Sequence, residues 1–183
     1  STRPGAAPVS LEEERRRVLP VIERLSGMIR IPLSIDTTKA AVADEAVRAR
    51  AVIINDISAL RADPDMAALA ARCGAAVVLM HMRGTPRTMQ RQVAYDAMIP
   101  EISAFFRERI DCAHAAGIGE RSIMIDPGIG FGKSVPDGNL ALLRHLGCFA
   151  SLDQPVLVGP SRKAFIGDVL GSGAEDREDG TAA

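Results

Sequence analysis

Ile123-Met124-Ile125-Asp126-Pro127-Gly128-Ile129-Gly130-Phe131-Gly132-Lys133 begins as a short apolar run, stops at an acid and opens into a glycine-rich loop. Four other runs end in a similar way. Leu33-Ser34-Ile35 meets Asp36, and Val52-Ile53-Ile54 meets Asn55 and Asp56. Ala76-Val77-Val78-Leu79-Met80 meets His81, and Val156-Leu157-Val158 meets Gly159 and then Ser161-Arg162-Lys163. Helix-patterned stretches separate most of these runs. Short apolar runs alternating with helices are the pattern of buried strands in a parallel sheet. In such folds the carboxyl ends of the strands line the ligand site. The pattern therefore places Asp36, Asn55, Asp126 and Lys163 on one face, around one small molecule.

The intervening segments carry helix signals. Residues 1–9 form a loop, rich in proline and glycine. Ser10 with Glu13 reads as a capping box, opening a helix with Val18, Val21, Ile22 and Leu25 on its apolar stripe and Gly27 at its end. Further helices are expected near 39–49, from Asp63-Pro64 to about Gly74, from Asp96 to Ala116, near 138–146 and from Arg162 to Leu170. Residues 171–183 read as a loop or frayed end. The β/α units thus occupy 10–170 of a single domain spanning 1–183. Right-handed crossovers would set about five strands in parallel, as an open doubly wound sheet or as part of a (β/α)8 barrel. Polar residues at nearly every strand end favour the barrel, although a barrel needs eight strands and typically about 250 residues.

Composition excludes several classes. The 183 residues are 47% hydrophobic with a net charge of −1, which suits a globular domain and gives no case for nucleic acid. No apolar stretch approaches the roughly 20 residues that span a bilayer, and no signal peptide is expected at Ser1. Cys73, Cys112 and Cys148 lack metal or redox spacing and are expected as buried reduced thiols. That usage fits a cytoplasmic protein.

The glycine-rich string tempts a nucleotide-binding reading and fails it. A Walker loop needs four residues between its first glycine and Gly-Lys-Ser/Thr, and here Gly128 and Gly132 enclose three. What remains is a strand-end acid, glycines that let backbone approach a ligand, and Phe131 to cover a flat ring. Asp36 could merely cap a helix, and Asn55 and Asp56 could merely shape a turn. Acids or amides at the ends of three buried strands are more than turn chemistry demands. An ionised carboxylate takes two parallel N–H bonds, as a guanidine-like heterocycle edge offers. Ser161-Arg162-Lys163 suits an anion or an electron-rich carbonyl. His81, alone between two methionines, reads as a satisfied core or turn residue.

Taken in order, Ser34-Ile35-Asp36-Thr37-Thr38-Lys39, Ile54-Asn55-Asp56, Leu79-Met80-His81-Met82-Arg83-Gly84-Thr85-Pro86, Asp126 to Lys133 and Ser161-Arg162-Lys163 resemble the dihydropteroate synthases along essentially the whole chain. Ser1-Thr2-Arg3-Pro4-Gly5-Ala6 resembles that family's second catalytic loop. The resemblance implies a (β/α)8 barrel that joins 6-hydroxymethyl-7,8-dihydropterin diphosphate to p-aminobenzoate, with release of pyrophosphate, in folate biosynthesis. It implies that Asp36, Asn55, Met80, Asp126, Phe131, Gly159 and Lys163 bind the pterin, with Lys163, Asp126 and Asp36 closest to the catalysis. Thr2, Arg3, Pro4, Phe131 and Ser161 would bind aminobenzoate, where sulfonamides compete. It further implies Mg2+ on the diphosphate and a homodimer of the full-length protein.

Against that family, the first strand, the following loop with the asparagine associated with magnesium, the body of the second strand, and the last strand with its Arg-x-His pair are missing. The chain is therefore expected to be a fragment, an incomplete barrel with no metal ligands of its own and little activity alone. A pterin-binding methyltransferase and a non-catalytic pterin-binding paralogue remain as alternatives.

Overall fold

The computed structural model describes residues 5–89, 94–134, 137–171, 173 and 177–182. Helix α1 (Leu11–Ser26) starts as expected: the Ser10 hydroxyl accepts the Glu13 N–H at 3.2 Å, and Glu12, Glu13 and Glu14 sit at the positive end of the helix dipole. Strands β1 (Leu33–Asp36), β2 (Ala51–Asp56), β3 (Ala76–Met80) and β4 (Ile123–Asp126) follow, separated by α2 (Ala40–Arg48), α3 (Met66–Cys73) and α4 (Met98–Ala115). After them come α5 (Asp137–Arg144), α6 (Ala164–Leu170) and α7 (Glu178–Ala182). The strands are parallel and lie in the order β1-β2-β3-β4. That sequential order, with no reversal, is the wall of a barrel rather than the switch point of a doubly wound sheet.

Register fixes which side chains share a face. Ile35 pairs with Ile54, and Leu79 with Ile125. These side chains enter the main core with Val42, Ala46, Met66, Leu69, Ile102 and Phe106 from the helices. Asp36 pairs with Asn55, Asn55 with Val78, and Met80 with Asp126. Because side chains alternate along a strand, this second set occupies the opposite face.

Four expectations are corrected. The fifth strand is a single bridge: Val156 pairs with Ile125, whose N–H donates to the Pro155 carbonyl at 3.0 Å. Pro155 and Pro160 lack the N–H groups that would lengthen the ladder. Helix α3 starts at Met66, after a turn at 64–65 in which the Asp63 Oδ1 accepts the Asp65 N–H at 3.1 Å, as an N-cap would. The other oxygen of Asp63 accepts the Ala40 N–H at 2.8 Å and so also caps the neighbouring α2. The segment after Gly171 holds the short helix α7, where Gly180 lies against Leu170 and Ile166 so closely that a Cβ would fall 2.5 and 2.6 Å from their side chains. All three cysteines are free but exposed. Cys73 ends α3 beyond its buried Met66, Leu69 and Ala70, and Cys112 flanks the buried Ile110 and Ala113 stripe of α4. Cys148 lies beside the buried Phe149 in the 3-10 turn over Leu146–Leu152.

Candidate active site

The sheet delivers Asp36, Asn55, Met80 and Asp126 to one face at the carboxyl ends of four adjacent strands, with strands spaced roughly 4.8 Å apart. Lys163 reaches this end from the residue before α6. Its ammonium donates to the Ile129 carbonyl, lies 4.6 Å from the centre of the Phe131 ring and interacts electrostatically with Asp126. The four residues singled out from the sequence are thus gathered at one end of the fold. Asp56, next to Asn55, points the other way. It is fully buried, and its carboxylate accepts the Ser58 N–H and hydroxyl and the Leu60 N–H at 2.6–2.9 Å. Asp56 shapes a tight turn in which Ala59 and Leu60 both take positive φ.

Acceptors dominate the face. The Asn55 Oδ1 is buried and has no hydrogen-bond partner among the described residues, an unusual cost unless a ligand donates to it. Burial raises the Asp126 carboxyl above its ordinary value, opposed by the Gly128 N–H and by the cations Lys163 and Lys133. Asp36 is raised by partial desolvation and by the neighbouring Asp56 and Glu14 carboxylates. It stands at the solvent-facing wall of an open cavity of about 810 Å³, with Thr37, Thr38, Arg61 and Met82 also lining it. Burial lowers Lys163, and Asp126 opposes the shift.

The glycine loop serves the protein itself. Asp126 Oδ1 accepts the Gly128 N–H at 2.7 Å. Gly128, at φ +71°, runs so close to His81 that a Cβ would lie 2.1 Å from its carbonyl oxygen, and a Cβ on Gly130 would lie 2.8 Å from Lys163 Cδ. The expected approach to a ligand is here an approach to His81 and Lys163. Phe131 packs on Ile57, Met80, Met82 and Met89, the small cluster beneath the face. Gly159 is half-buried with open space around it, Ser161 is exposed, and Thr2, Arg3 and Pro4 lie outside the described residues.

Lys133 and its partnership with His81 were not legible as a functional feature. Lys133 is 1% exposed, and its ammonium lies 3.0 Å from both the His81 Nδ1 and the His81 carbonyl. His81 is buried against Phe105, with ring centres 4.9 Å apart. The only sequence signal was a lysine closing the glycine run. Among the described residues no three His, Cys, Asp or Glu side chains gather around a common point. The described residues thus offer no such donor set for the expected magnesium. Among the described helices none is long and apolar enough to cross a membrane.

A family model described as "Pterin binding enzyme" matches residues 1–183. The dihydropteroate synthase of Bacillus subtilis is 46% identical over 183 residues, covering 100% of this chain and 61% of that protein. The Yersinia pestis dihydropteroate synthase, solved with a sulfonamide drug complex, superposes with a TM-score of 0.95 at 44% identity, over 98% of this chain and 65% of that one. The Xanthomonas albilineans enzyme, solved with 4-aminobenzoic acid, gives 0.91 at 47% identity, over 99% and 64%. The chain spans 58% to 64% of the length of the first curated relatives it matches. With its parallel strands and the acceptors at their ends, the chain belongs to the pterin-binding enzyme family.

Proposed function

We propose that the protein to which this chain belongs is a dihydropteroate synthase, and that the face carrying Asp36, Asn55 and Asp126 is its pterin site. The observation that carries this reading is the buried Asn55 Oδ1, without a hydrogen-bond partner among the described residues, beside Asp36 and on the same sheet face as Asp126 two strands away. A pterin presents an amine and ring N–H groups along one edge. Carboxylates and an amide oxygen are the acceptors that edge requires.

The chemistry follows from that placement. The bond from the pterin methylene to the diphosphate oxygen breaks, the amine nitrogen of p-aminobenzoate bonds to the methylene, and that nitrogen releases a proton. Positive charge spreads into the ring as the diphosphate leaves. Asp36 and Asp126, accepting from ring N–H groups, stabilise that charge, and one preorganised group in such a site is worth about 3 kcal/mol. Lys163 holds the carbonyl side of the ring, and Phe131 with Met80 supports it. Ser161, Thr2, Arg3 and Pro4 form the aminobenzoate end, where sulfonamides compete. No protein nucleophile takes part. Free thiols and the absence of a spanning helix among the described residues support a cytoplasmic setting. A homodimer of the full-length protein belongs to the same proposal.

Calorimetric titration of this chain with 6-hydroxymethyl-7,8-dihydropterin diphosphate tests the site. Saturable binding that Asp126→Asn weakens is expected, and no binding overturns the reading. Pyrophosphate release by the longer protein with both substrates tests the reaction, and binding without release would leave a pterin-binding module.

A further inference from the structure

Lys133 presents a problem that the proposed chemistry does not absorb. It is almost wholly buried, yet the acceptors it meets within hydrogen-bond distance, the His81 Nδ1 and carbonyl oxygen, are both neutral. A methionine would fill a similar volume without the cost of burying an ammonium, which is several kcal/mol for an ion in a protein interior. The carboxylate that acts on the Lys133 charge is Asp126, at the end of β4.

The surroundings define what Lys133 does. Its ammonium and the backbone of Gly128 converge on the same His81 carbonyl: a Cβ on Gly128 would sit 2.1 Å from that oxygen and 3.0 Å from the Lys133 Nζ. The His81 N–H donates in turn to the Asp126 carbonyl at 2.8 Å, and the Tyr95 hydroxyl donates to the Gly132 carbonyl at 3.1 Å. The loop from Asp126 to Lys133 is therefore closed on itself through His81, with the lysine as the clasp. Its charge acts on Asp126 from the protein side, whereas Lys163 acts from the side of Phe131.

We propose that Lys133 is a positioning residue for the pterin site, which clasps the Asp126–Phe131 loop to His81 and supplies a buried positive charge that keeps the Asp126 carboxylate ready to accept ring N–H bonds. The inference rests on the pterin reading for its consequence, but not for its physical content. The charged and titratable groups around the pair are Asp126 on β4, Lys163 before α6, His81 after β3, Tyr95 before α4, whose ring centre is 6.1 Å from that of His81, and Arg61 and Arg83, which act on His81. Burial lowers the Lys133 ammonium to about 7. It is therefore charged in the acidic range, where Asp126 is most prone to take up a proton.

The test is the titration of the Asp126 side-chain carboxyl, followed by carbon-13 NMR in the unaltered chain and in Lys133→Met. The midpoint is expected to move upward by roughly one pH unit, a tenfold change in proton affinity. Pterin affinity, measured with 6-hydroxymethylpterin, is expected to fall up to about tenfold at pH values below the measured Asp126 midpoint and by less than about threefold well above it. A filler role alone would lower affinity equally at both. An unmoved Asp126 midpoint overturns the proposal. A moved midpoint without any pterin binding upholds the Lys133–Asp126 coupling and overturns the pterin reading instead. If Lys133→Met does not fold, the reciprocal measurement decides. Asp126→Asn must lower the Lys133 Nζ midpoint seen by nitrogen-15 NMR, and an unchanged midpoint overturns the coupling.

Discussion

Asp36 and Asn55 are register partners across β1 and β2, and they turn their acceptors to the same face of the sheet. The Asn55 oxygen is buried and idle among the described residues, so its value lies in what it binds. Asn55→Ala is expected to leave the melting temperature within a few degrees, a change of about 1 kcal/mol or less. Affinity for the pterin diphosphate should fall about 10- to 100-fold, the worth of a hydrogen bond to a desolvated group. Paired melting and calorimetry check both halves.

Neighbouring acids on opposite faces should behave oppositely. Asp56 bonds its own turn and is fully buried. Asp56→Ala is expected to cost about 2–4 kcal/mol in urea unfolding, because it strips three donors of their acceptor. Asp126→Asn keeps an acceptor for the Gly128 N–H and should lose less than about 1 kcal/mol of stability. Pterin affinity should drop sharply in Asp126→Asn and stay within about threefold in the folded fraction of Asp56→Ala.

Gly128→Ala places a methyl group 2.1 Å from the His81 carbonyl at a positive φ. A loss of about 3 kcal/mol or more is expected, from the collision and the left-handed backbone together. Gly159→Ala meets open space and should change stability by less than about 1 kcal/mol. Urea midpoints of the two variants provide the comparison.

Stability should follow pH through His81 after β3 and Lys133 at the end of the Asp126 loop. Burial and the cations Lys133, Arg61 and Arg83 push His81 down from 6.5 to about 2. The unfolded chain therefore binds a proton that the fold refuses, and stability falls as pH drops below 6.5. Lys133 is lowered from 10.5 to about 7, so by the same sign stability rises between about 7 and 10.5. Asp36, Asp56 and Asp126 are raised above 3.8. Their contributions are full at low pH and fade as pH rises through their folded values, opposing His81 in the acid range. Urea midpoints across pH should lose most of the acid slope in His81→Gln and part of the alkaline slope in Lys133→Met, the rest coming from Lys163, which burial also lowers.

Much of this arrangement was visible in the sequence because strand ends are local events. An apolar run that stops at Asp36, Asn55 or Asp126 reveals its own carboxyl end, and parallel pairing then gathers those ends without further information. Contacts across long stretches of chain were not visible. Lys133 and His81 stand 52 positions apart, and nothing near either residue announces the other. Asp63 caps the turn into the helix beside it, as its position suggests, but its second bond, to the start of α2 23 residues earlier, has no local signal. Asn55 and Asp56 looked alike, and only the pleat of β2 decided which one faces the site. The fifth strand was overestimated because Val156-Leu157-Val158 has the right side chains, while its flanking prolines limit the backbone ladder.

The three outward-facing thiols have a practical consequence. Cys73 closes α3, Cys112 lies in the last two turns of α4, and Cys148 precedes the Val156 bridge. In a parallel β/α layout these positions fall toward the amino ends of the strands, the pole opposite Asp36 and Asp126. Maleimide dyes or spin labels can thus be attached without crowding the pterin face, and handling in air without a reductant will join copies of the chain through that far pole.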